Sequence, residues 1–245
     1  MPSIPVDVLR EILGHVRKAD LATLCRVSKI FCSCSRNVLY CKIEYGDERV
    51  IQTLAQSTDL ARRVRSFETE RNCEELATAL ENMSSLRRLN LECNDANSSV
   101  LNRCTFKLDS FACSFSYTES LKIFLNRQSS LTEFTISLGY GYPPPFAAFL
   151  PNLTRVRAEP CWARRLIPGR PVTEVMIIDL EKDTIDFSIF TLSTAPIRKL
   201  HITYRLLYPT SGSHLATIFP SLEHLTVDPD GVKCDVRIPP LYLSI

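Results

Sequence analysis

Eight six-residue segments share the pattern apolar-x-x-apolar-x-apolar: VRSFET from Val64, LRRLNL from Leu86, LDSFAC from Leu108, LTEFTI from Leu131, LTRVRA from Leu153, VTEVMI from Val172, IRKLHI from Ile197 and LEHLTV from Leu222. Their starts lie 22, 22, 23, 22, 19, 25 and 25 residues apart. Of the 24 positions the pattern makes apolar only Thr69 is not, and of the 24 intervening positions only Ala112 and Met176 are. With 45% hydrophobic residues, chance would fill about eleven of each set. Each segment therefore predicts a short strand whose first, fourth and sixth side chains face inward.

This period falls within the 20–29 residues of leucine-rich repeats. Stacked units of that kind build a curved parallel sheet in which each repeat contacts mainly its neighbours. The fold class expected is α/β, with about eight repeats over residues 43–245. Helical spacing between the strands marks the convex side: Leu76 and Leu80, then Leu121, Phe124 and Leu125, then Leu215, Ile218 and Phe219. Thr118 and Ser213 stand at N-cap positions, and Pro145 can open a helix holding Phe146, Phe149 and Leu150 after an inter-repeat loop from Gly139 to Pro145.

Residues 1–42 break the repeat. Val8, Leu9, Ile12, Leu13 and Val16 lie at helical spacing; Asp20 can cap a second run with Leu21, Leu24 and Val27, and Ser28 a third that reaches Phe31. The pairs Ile4-Pro5, Asp20-Leu21 and Val27-Ser28, followed by Phe31, keep the register of a known motif without a gap. The segment Ile4–Tyr40 resembles the F-box, with Ile4 where that family usually has leucine and Phe31 where many members have tryptophan.

The resemblance implies the substrate receptor of an SCF-type ubiquitin ligase. Its F-box would dock on the Skp adaptor, and through it on a cullin-RING ligase, while the repeats hold an unknown target protein. By position in the motif, Ile4, Pro5, Val8, Leu9, Ile12, Leu24, Val27 and Phe31 are the candidates for adaptor binding, a helix-in-groove type of contact. The same side chains could instead form the core of a three-helix cap on the solenoid. A scaffold or inhibitor without ligase association is the alternative function.

The side chains at the third, fifth and seventh positions of each segment should face the concave side and a partner. They are mixed in sign, with Glu68, Glu70, Glu92, Glu133, Glu159, Glu174 and Asp228 against Arg88, Arg155, Arg157 and Lys199. His201 and His224 fall on adjacent strands. A nucleic-acid backbone needs a continuous basic stripe, so the face favours protein recognition through Arg88, Glu133, Arg155, Arg157, Glu174, Lys199, His201 and His224. Trp162 and the loop with Tyr140 and Tyr142 join them as candidate hot spots.

Composition narrows the remaining classes. A net charge of +2 argues against a nucleic-acid binder, and seven glycines argue against a fold built on glycine loops. No apolar run is long enough for a membrane span. Asp7, Arg10 and Glu11 interrupt the N-terminus where a secretory signal would be apolar, which makes a cytoplasmic or nuclear protein the default and leaves the sequons at Asn82, Asn97 and Asn152 bare. Cys25, Cys32, Cys34 and Cys41 lack zinc-site spacing, His201 with His224 lacks a third ligand, and no nucleophile or nucleotide motif occurs. No metal, cofactor or catalytic residue is therefore expected, with a thiol enzyme using Cys161 a distant possibility.

Overall fold

The structure is a computed structural model, and it describes residues 4–93, 97–137, 150–178, 185–203, 212–228 and 234–237. The chain forms two compact units, Met1–Ala96 with Val100–Phe106, and Asn97–Ser99 with Lys107–Ile245. It is mixed α/β, and nine of its strands are parallel, three in the first unit and six in the second. Neither set closes into a barrel.

The first unit opens with three helices, α1 (Val6–Gly14), α2 (Lys18–Leu24) and α3 (Lys29–Cys41). Helix α1 carries two apolar stripes. Leu9 and Leu13 are buried with Leu21 and Cys34, and Val16, Leu24, Phe31, Val38 and Leu39 pack against them. Val8 and Ile12, four residues apart on another face, stay exposed, as does Ile4 just before the helix. Ser28 caps α3 by accepting from Phe31 N at 3.3 Å. Asp20 does not cap α2: Arg17 is the N-cap, and Asp20 sits in the first turn, where its carboxylate favours the helix dipole and accepts from Arg17 Nε at 2.9 Å.

Behind these helices lie β1 (Lys42–Ile43), α4 (Glu48–Gln56), α5 (Thr58–Ala61), β2 (Ser66–Thr69), α6 (Leu76–Asn82) and β3 (Arg88–Leu91). The three strands pair in parallel, with Ile43 opposite Phe67 and Phe67 opposite Leu89. Arg65 N donates to Cys41 O at 2.8 Å, so the end of α3 is bonded to the residue that enters β2. The sequon residue Asn82 uses its amide nitrogen on Leu54 O and Ala55 O, at 3.2 and 2.9 Å.

The second unit contains β4 (Ser110–Cys113), α7 (Glu119–Asn126), β5 (Glu133–Ile136), β6 (Arg155–Ala158), α8 (Pro160–Leu166), β7 (Glu174–Ile177), a 3-10 helix (Phe187–Leu192), β8 (Lys199–Thr203), a helix Gly212–Ile218, β9 (His224–Asp228) and β10 (Cys234–Arg237). Strands β4 to β9 are parallel in chain order, and β10 turns back antiparallel on β9. Phe111, Phe134, Val156, Val175, Leu200 and Leu225 stand opposite one another from strand to strand. They are the fourth positions of the sequence pattern.

All eight patterned segments form strands, each starting two residues into its segment. In the first seven every inward position is buried, Thr69 included, whereas Leu222, Leu225 and Val227 of the last are half-buried. Burial of each such aliphatic side chain contributes about 1.5–3 kcal/mol. Thr118 caps α7 as expected, accepting from Leu121 N at 3.3 Å. The helix expected after Ser213 spans Gly212–Ile218. The expected loop from Gly139 to Pro145 and the helix with Phe146 and Phe149 lie outside the described residues.

Candidate functional site

The candidate residues fall in two parts of the chain. On the N-terminal helices, Ile4, Val8, Ile12 and Val27 are 60%, 47%, 51% and 63% exposed, and Pro5 is exposed beside them. Val6 and Ile30 belong to the exposed apolar set as well, at 45% and 60%, and the motif comparison missed them. Helical spacing would not have found them, since Val6 stands three residues before the buried Leu9 and Ile30 four before the buried Cys34, which would place both inward. Scattered exposed apolar residues are ordinary. Six of them stand exposed within the 42-residue segment.

Leu9, Leu24 and Phe31 are placed differently. Leu9 is 6% exposed and belongs to the core of the module, and Leu24 and Phe31 are half-buried against it. As a direct adaptor contact Leu9 is therefore corrected. Its i,i+4 partner is Leu13 on the inner stripe, so removing it would act through the fold.

In the second unit, seven of the eight outward candidates line one groove of about 330 Å³: Glu133, Arg155, Arg157, Glu174, Lys199, His201 and His224. The eighth, Arg88, stands on β3 of the first unit. Parallel pairing creates the assembly by placing Glu133, Arg155, Glu174, Lys199 and His224 opposite one another on successive strands.

Charges alternate along that row and link up. Arg155 bonds Glu133 on one side and reaches Glu174 Oε2 at 3.1 Å on the other. Glu174 Oε1 takes Lys199 Nζ at 2.7 Å. Each pair is partly exposed and by itself contributes at most about 1 kcal/mol. The network's main effect is to hold two cations and two carboxylates against each other. The second row reads Thr135, Arg157, Met176, His201 and Thr226. His201 Nε2 lies 2.6 Å from Asp228 Oδ2, with both side chains mostly buried. Arg157 is exposed and has no hydrogen-bond or ion-pair partner among the described residues.

Trp162 is not a surface anchor. It is fully buried, its ring set edge-on against Tyr117 and Phe134 at 5.6 and 6.2 Å. Pro160 opens α8 two residues ahead of it. Tyr140 and Tyr142 lie outside the described residues.

Cys34, Cys93, Cys104 and Cys113 are buried, and Cys25, Cys32, Cys41, Cys73 and Cys161 are partly so. Burial pushes Cys113 and Cys104 up to about 12 and Cys93 up to about 11, far from a nucleophile's range. Cys161 Sγ lies 3.9 Å from a carboxylate oxygen of Glu159, a neighbour that does not activate a thiol. Among the described residues no group of three His, Cys, Asp or Glu side chains could hold a metal ion, and no helix is long and apolar enough to cross a membrane.

The molecule is thus an α/β chain with exposed apolar side chains in its first 42 residues and a charge-laddered groove farther on. Residues 1–42 match the F-box domain. F-box domains generally bind the Skp adaptor within SCF ubiquitin ligases and are generally non-catalytic. No curated protein is significantly similar to the chain.

Proposed function

We propose that this chain is the substrate-recognition subunit of an SCF-type E3 ubiquitin ligase. The F-box at residues 1–42 docks on the Skp adaptor, and through it on a cullin-RING ligase. Residues 43–245 act as a leucine-rich-repeat domain whose outward strand face holds the target protein. The chain performs no chemistry itself and works in the cytoplasm or nucleus by fixing two proteins in one assembly.

The observation that carries this reading is the set of exposed apolar side chains Ile4, Val8, Ile12, Val27 and Ile30 within the F-box match. Leaving such side chains in water forgoes roughly 25 cal/mol per Å², and an apolar helical groove on a partner recovers it. Regular strand spacing and the groove on β5 to β9 support the repeat assignment and its role in holding a target.

The test is binding of the full chain to purified Skp adaptor, compared with an Ile12→Asp variant. Wild-type capture with at least tenfold weaker capture of the variant supports the receptor. An intact chain that never holds the adaptor overturns it and favours a protein-binding scaffold outside the ligase.

A further inference from the structure

Arg157 stands apart from the other cations of the groove. Arg155 and Lys199 are held by Glu133 and Glu174, and His201 faces Asp228. Across the parallel pairing Arg157 has Thr135 on one side and Met176 on the other, a hydroxyl and a thioether, neither able to neutralise a guanidinium. Its planar fork of donors, open to solvent inside a concave space of about 330 Å³, is preorganised for a planar bidentate acceptor.

We propose that Arg157 is the anion anchor of this groove and that the target segment it binds carries one carboxylate, an aspartate or glutamate side chain, over β6. The proposal rests on the reading that the outward strand face holds a target protein, and it specifies the chemistry of that target. Charge decides between acids. A phosphomonoester brings about −1.5 to −2, and the groove offers it one uncommitted guanidinium among the described residues, because Arg155 and Lys199 are already offset by Glu133 and Glu174. A carboxylate matches the single charge and the fork geometry.

Phage displaying random dodecapeptides would be selected on the full chain and, in parallel, on its Arg157→Gln variant, and the enriched peptides titrated by fluorescence anisotropy. Peptides enriched by the wild type should share an Asp or Glu. Converting that residue to its amide should weaken binding to the wild type about tenfold and to Arg157→Gln less than about twofold, because the charge-assisted bidentate pair exists only in the former. Arg157→Lys, which keeps the charge and loses the fork, should fall between, and it preserves the test should the glutamine variant misfold. Enriched peptides without a shared acid, an amide penalty equal in both proteins, tighter binding of a phosphoserine at the same position, or no enrichment would each overturn the anchor. Adaptor capture is measured on the same preparations. Its loss with acid dependence intact would sink the ligase reading alone, and the converse would sink the anchor alone.

Discussion

Thr69 Oγ1 donates a hydrogen bond of 2.7 Å to the carbonyl oxygen of Gly46, and both residues are buried. The same hydroxyl accepts from Arg71 N at 3.0 Å. This bond fastens the turn after β1 to the end of β2, where Gly46 lies so close to Phe67 that a Cβ would stand 2.9 Å from the ring. The one polar residue at an inward position of the sequence pattern is therefore there to satisfy a buried carbonyl. Thr69→Val keeps the shape and removes the donor, so it should destabilise the protein by about 1–3 kcal/mol, with Thr69→Ser milder. Urea denaturation checks this, and a valine variant at least as stable as wild type would refute it.

Leu89 is 2% exposed on β3 and stands opposite Phe67. Leu89→Ala should cost about 2–5 kcal/mol through lost burial and a residual cavity. Leu89→Asp, which buries a carboxylate with no cation beside it in the pattern, should leave no folded first unit. Circular dichroism melts of both variants measure the effect; a shift of a degree or two for the aspartate would mean that Leu89 does not face the core.

Two residues three apart on α1 should separate binding from folding. Ile12→Asp alters an exposed side chain and should leave the melting temperature within a few degrees while abolishing adaptor capture. Leu9→Ala empties part of the module's core and should lower stability by about 2–5 kcal/mol, with capture reduced only as far as the module unfolds. Equal melting temperatures for the two variants would show that the stripes are wrongly assigned.

Alkali should weaken the fold above pH 9. In the unfolded chain the thiols ionise near 9.0, whereas burial holds Cys93 neutral to about 11 and Cys104 and Cys113 to about 12. The folded state thus keeps protons the unfolded state loses, and its stability is full below pH 9 and falls as pH rises toward 12. Each thiol contributes a slope of up to about 1.4 kcal/mol per pH unit. Urea midpoints at pH 8.5 and 10.5 should differ, and Cys113→Ala should flatten the difference. Identical slopes in variant and wild type would remove Cys113 from the account.

The single tryptophan offers a check without mutation. Trp162 is fully buried among Tyr117 and Phe134, so its emission should be blue-shifted and resist iodide quenching until the chain unfolds. Efficient quenching of the native protein would return it to the surface.

The strands were legible because an inward position is set by local alternation and repeated eight times, so each segment confirms the others. Helix α7 was legible through its cap Thr118 and the spacing of Leu121, Phe124 and Leu125. Helices α4 and α8 were missed, although Asp47 caps α4 and Ile51 and Leu54 stand at helical spacing within it. Trp162 was misplaced because an aromatic that suits a binding surface suits a core equally well, and only the edge-on packing against Tyr117 and Phe134 distinguishes them.

What the sequence by itself determined was the strand positions, the parallel α/β class and the helical module at residues 1–42, because all three follow from which residues avoid water at regular intervals along the chain. What the tertiary structure alone decided was which apolar stripe of α1 is inner and which outer, and which groove cations are already held. Leu9 and Ile12 are equally apolar, and Arg155 and Arg157 equally charged; their fates depend on Leu21 and Cys34 across the module and on Glu133 and Glu174 across the sheet. Such neighbours come from separate segments of the chain, and a hydrophobic pattern records a side chain's aversion to water without recording whose surface will relieve it.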